Sequence, residues 1–185
     1  MNPIFRNTLI SGLIIMTAFL VLLLLRPEEG SRNMDQISNP GTTMLFLFGM
    51  VLPGFLFGIA LSLAMPSVLV SKKIAFITLS GILYIGLAFG AVTNGSTSTF
   101  PVVVVSAIGG VLMVVLVHFL LHPLPLAQSL VVGLVIGLIA AAPFLLMFQS
   151  PEEAKSIGSI AGMMGLSLFL IWQGGMGFYL SKVIE

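Results

Sequence analysis

The chain has 185 residues, seven Lys or Arg against six Asp or Glu, and only 7% of it is charged. An ordinary soluble domain carries about 25% charge. With 58% hydrophobic residues and a mean hydropathy of +1.18, this chain cannot cover a water-facing surface without one continuous apolar patch. Disorder is excluded too, because disordered chains are poor in apolar residues.

The first apolar run, residues 8–25, follows Arg6 as a signal peptide would. It is longer than a typical signal core and no small-x-small cleavage site follows, so it reads as a retained first span. Residues 26–42 form the one sizeable loop, with Arg26, Glu28, Glu29, Arg32 and Asp35. An intramembrane prenyl protease would carry Glu-Glu-x-x-x-Arg, whereas Arg32 follows Glu28-Glu29 at the wrong spacing.

Further runs cover about 43–70, 74–92, 100–121, 124–148 and 157–180. Each is long enough to cross a hydrocarbon core of roughly 30 Å. Backbone in lipid must satisfy its own hydrogen bonds, and the runs do not alternate as barrel strands do, so they are predicted helices. The expected fold is all-α: one polytopic membrane domain over 1–185, with six transmembrane helices arranged as three helical hairpins. Short connections separate them: Ser-Lys-Lys at 71–73, an uncharged stretch at 93–99, His-Pro-Leu-Pro at 122–125, and 149–156.

These connections fall on two sides. Arg6, Lys72, Lys73 and Lys182 share one, and Arg26, Arg32 and Lys155 the other. The excess of basic residues predicts both termini in the cytoplasm, in a bacterial inner membrane. A parallel repeat is suggested by Gly12-Leu13-Ile14 leading to Pro27-Glu28-Glu29, against Gly137-Leu138-Ile139 leading to Pro151-Glu152-Glu153. The second acidic pair reads best as a capping box, with Ser150 as N-cap, Pro151 at the first helical position and Glu153 at the third.

No charged residue falls inside a run, which argues against proton relays and other buried-charge machinery. His118 and His122, four apart on one expected helix face, are weak metal candidates with no Asp, Glu or Cys adjoining. Cys is absent, so disulfides, thiolate nucleophiles and Cys-ligated metals are out. No catalytic residue and no cofactor is expected, and a net charge of +1 suggests no nucleic-acid partner.

Backbone breakers are more suggestive. Pro53 and Gly54 in helix 2, Pro143 in helix 5, and Gln173 and Gly174 in helix 6 are candidates to line a cavity. Small residues at four-residue spacing mark close helix packing: Gly54, Gly58 and Ser62; Gly86 and Gly90; Gly133 and Gly137; Gly158 and Gly162. Ser106 and Gly110 make a further pair on helix 4.

Three functions fit. The leading expectation is a non-enzymatic packing role, as a subunit or accessory of a membrane assembly or as a homo-oligomer, with the lipid bilayer and another membrane protein or itself as partners. A second is a small-solute transporter or substrate-binding subunit with a site near helices 2, 5 and 6. In size, helix number and apolar character the chain resembles the substrate-binding subunits of energy-coupling-factor vitamin transporters, although their Ala-x-x-x-Ala motif is absent from helix 1. The third is an intramembrane enzyme or metal protein using His118 and His122.

Overall fold

The computed structural model describes the backbone of residues 1–24, 40–94, 100–147 and 158–184. It describes the side chains within 1–18, 52–87, 103–142 and 170–184. The described residues form six α-helices and no strand: α1 Pro3–Leu24, α2 Pro40–Ala64, α3 Val70–Asn94, α4 Phe100–Leu116, α5 Leu126–Met147 and α6 Gly158–Val183.

The boundaries follow from local chemistry. Asn2 caps α1, its Oδ1 accepting the Ile4 N–H at 2.8 Å, and Pro3 takes the first helical position, where no N–H is needed. The helix therefore starts before the apolar run and includes Arg6. α2 stops at Ala64 instead of reaching residue 70, because Pro66 excludes its predecessor from helical geometry. A turn follows, with the Val68 N–H on the Met65 carbonyl at 3.3 Å. α3 then begins at Val70, so Ser71, Lys72 and Lys73 form its first turn and not a loop. α4 ends in a π-turn over Val117–Leu121, closed by the His122 N–H on the Val117 carbonyl at 2.9 Å. Pro123 and Pro125 prevent the helix from going further.

Each helix packs against its neighbours in chain order, and α6 returns to α1, so the six close into a ring. The expected hairpin pairs α1–α2, α3–α4 and α5–α6 are in contact, and so are α2–α3, α4–α5 and α1–α6. Trp172 of α6 anchors the middle, edge-on to Phe57 of α2 at 5.1 Å and to Tyr84 of α3 at 5.3 Å. Met113, Val114 and Val117 from the α4 segment, Ala140 from α5, and Met176 and Leu180 from α6 complete a fully buried centre.

Three contacts are close enough to require small residues. A Cβ on Gly54 would lie 2.5 Å from the Ser80 carbonyl oxygen, and one on Gly58 would lie 2.9 Å from the Ile77 Cα, which welds α2 to α3. Gly110 meets Gly133, and Gly137 meets Ser106, backbone against backbone, between α4 and α5. Gly177 of α6 leaves the space that Thr8 of α1 fills. No described glycine has positive φ, so these glycines supply room and not conformation.

Two described stretches, Val70–Leu87 and Val103–Leu121, are long and apolar enough to cross a membrane; Pro3–Ala18, Leu52–Ala64 and Leu126–Ala142 are shorter apolar stretches.

Candidate functional site

The bundle holds a polar centre on three helices. Gln173 of α6 is fully buried. Its Nε2 donates to the Pro53 carbonyl of α2 at 3.2 Å, and its Oε1 accepts from the Ser11 hydroxyl of α1 at 2.6 Å. Ser11 Oγ also lies 2.8 Å from the Thr8 carbonyl. The two contacts fix which way the amide points, because only its nitrogen donates and only its oxygen accepts. Leaving such a group unpaired would cost about 1–3 kcal/mol, and here it ties α1, α2 and α6 at one level.

Four of the residues expected to line a cavity near helices 2, 5 and 6 have described surroundings. Pro53 and Gln173 come together and bond each other. Gly54 faces Ser80, Gly81 and Tyr84 of α3. Gly174 makes an ordinary contact with Leu9 of α1, at 3.9 Å for an added Cβ. What Pro143 faces lies outside the described side chains.

The histidines are not a matched pair. His122 is the C-cap of the π-turn and leaves the helix in extended geometry with φ −155° and ψ 129°. The expectation that spacing four puts both on one helix face therefore fails. His118 turns back on the 122–125 connection. There the Leu124 N–H, the one amide between two prolines, donates to His118 Nδ1 at 2.9 Å. The Leu124 carbonyl is 3.1 Å from the same nitrogen. An amide N–H can only donate, so we assign Nδ1 as acceptor and the ring proton to Nε2. His118 thereby satisfies the backbone donor of Leu124, a residue 6% exposed. Among the described residues no three His, Cys, Asp or Glu gather as metal ligands, and all six carboxylic residues lie outside the described ones.

The small-residue stripes differ in what they meet. Gly54, Gly58, Gly133 and Gly137 sit at helix contacts. Ser62 is buried, with no hydrogen-bond partner for its hydroxyl among the described residues. Gly86 is the exception: it is exposed, and a Cβ there would meet nothing within 4 Å. It belongs to no contact inside the described bundle. The expected partners Gly90, Gly158 and Gly162 lie on helical backbone, and their surroundings lie outside the described side chains. Both Pro-Glu-Glu segments, the repeat they suggested and the capping box at Ser150 lie outside the described residues.

Several polar contacts had no strong signal in the sequence. Ser80 Oγ reaches the Gly54 carbonyl at 2.9 Å, Asn2 Nδ2 donates to the Ser181 carbonyl at 3.1 Å, and Ser129 Oγ meets the Tyr179 hydroxyl at 2.7 Å. Isolated hydroxyls within apolar runs were the one available clue. A groove of about 340 Å³ also opens at one end of the bundle, between Asn2, Pro3 and Ile4, residues 64–68, Leu121 and His122, and Ile184. Comparison with family models, with curated proteins and with solved structures finds no match for this chain.

Proposed function

We propose that the chain is a six-span integral membrane protein without enzymatic activity, acting by helix packing as a subunit or accessory of a larger membrane assembly. The observation that carries this reading is an apolar exterior around a core that also buries hydrogen-bonded polar groups. Thr8, Ser11, Ser80, Ser129 and Gln173 are buried and hydrogen-bonded within the bundle, whereas Ile14, Leu63, Ile74, Ile82, Val131, Ile139 and Phe178 are exposed. In water each exposed apolar side chain forgoes roughly 1.5–3 kcal/mol of burial; in hydrocarbon that cost vanishes. The two span-length stretches bury only 22% and 33% of their residues, the reverse of a soluble core helix. The ring puts Asn2, the 64–68 turn, His122 and Ile184 at one end, which suits an even number of crossings with both termini on one side. The basic residues at that end favour the cytoplasm, and a bacterial inner membrane is the proposed setting.

The packing role is supported by an interior whose described polar groups are largely bonded within the bundle, mainly to backbone carbonyls. Gly86, exposed on α3, gives a neighbouring helix a place to approach closely. Native mass spectrometry after purification in mild detergent tests this. A co-purifying subunit or a defined homo-oligomer is expected, and Gly86→Leu should weaken it without unfolding the bundle. A lone monomer, with no change on that substitution, would contradict the reading.

A further inference from the structure

We infer that the groove at the basic end of the bundle seats the phosphate headgroup of an anionic phospholipid. The inference rests on the membrane reading above but is tested separately from it. The groove holds about 340 Å³, within the roughly 300–1,000 Å³ of small-ligand sites. Its walls are of two kinds. Ile4, Ala64, Met65, Val68, Leu121 and Ile184 are apolar, whereas Asn2, Ser67 and His122 bring polar groups to it. That combination suits an amphiphile and not a free ion.

Charge favours an anion. Lys73 adjoins Pro66 of the groove wall, its Nζ 3.5 Å from the Pro66 carbonyl, with Lys72 beside it in sequence. Lys182 adjoins Ser181, whose carbonyl holds Asn2 of the groove. The first turn of α3 contains two lysines and no acid, where the helix dipole disfavours positive charge. Helix stability therefore does not account for that pair. Of the carboxylic residues, only Glu185 belongs to this end by sequence.

Continuity with the lipid-facing surface selects a lipid as the source of the phosphate. Leu63, Leu69 and Val70 flank the turn that forms the groove wall, and they are 72%, 67% and 70% exposed. An acyl chain lying along them would bring its headgroup to Lys73 and His122 without leaving the bilayer edge.

The test compares retention of phosphatidylglycerol and phosphatidylcholine by the detergent-purified protein, using native mass spectrometry. Phosphatidylglycerol should be retained preferentially. Lys72→Gln with Lys73→Gln should weaken it by about fivefold per lysine. Ser67→Trp keeps every charge but fills the groove, and should cause a comparable loss. Equal retention of the two lipids would overturn the inference. So would loss in the lysine variant with none in Ser67→Trp, which would mean surface charge alone, or full displacement by inorganic phosphate, which would mean an anion site indifferent to lipid. Thermal unfolding in the same detergent checks both variants, and should the lysine variant unfold, Ser67→Trp decides. Recovery of the protein from membranes without detergent would instead sink the membrane reading.

Discussion

His118 illustrates how one side chain can look like chemistry and act as structure. Pro123 and Pro125 leave Leu124 with the one N–H in that stretch, and Leu124 is buried. His118 Nδ1 accepts it, so the ring is committed before any metal arrives. His118→Ala should orphan that donor and cost about 1–3 kcal/mol, read as a lowered unfolding temperature in detergent. His122→Ala, at an exposed position, should change stability little. Metal content should be the same in wild type and both variants; a bound metal lost on His118→Ala would contradict the capping role. The spacing of these two residues was legible in the sequence, and their geometry was not. Whether positions four apart share a helix face depends on the helix running through both, and here it ends at Leu121, with His122 already extended. Gln173 shows the opposite case. A single polar residue in an apolar run signalled importance, but its partners, Ser11 and the Pro53 carbonyl, come from helices far away in sequence.

At the scale of elements, apolar runs located all six helices, because run length and composition are local properties. Their ends needed cap and proline chemistry. Asn2 and Pro3 start α1 before the run, and Pro66 ends α2 while the residues beyond it are still apolar. Stripe membership was equally readable, but which helix each stripe faces is a tertiary fact. Gly58 presses on Ile77 and Ser80 of α3, whereas Gly86, of the same spacing pattern, meets open space. A side chain at position 58 would have to displace backbone, since an added Cβ already lies 2.9 Å from the Ile77 Cα. Gly58→Leu should therefore destabilise the bundle by at least about 1–3 kcal/mol, while Gly86→Leu should leave monomer stability nearly unchanged. Thermal unfolding of the two variants side by side checks this; equal effects would mean that the α2–α3 contact is not the tight one.

For the whole molecule, the closed ring and the apolar exterior belong together. Joining α6 to α1 lets every helix bury one flank on each neighbour and present the remainder outward. Among the described side chains, what it presents is largely apolar. The low charge count foretold that exterior, but closure depends on contacts such as Thr8 with Gly177, far apart in the chain. The most direct test of a membrane-embedded bundle is cysteine accessibility, which the absence of native Cys makes clean. Single substitutions Lys72→Cys, Ile82→Cys and Val131→Cys would be made in the full chain and exposed, in native membranes, to a membrane-impermeant maleimide. With the basic end open to the reagent, Lys72→Cys should label readily, and Ile82→Cys and Val131→Cys should label only after detergent unfolding. Rapid labelling of Ile82→Cys and Val131→Cys in intact membranes, or recovery of the protein in the alkaline-carbonate wash, would contradict the account.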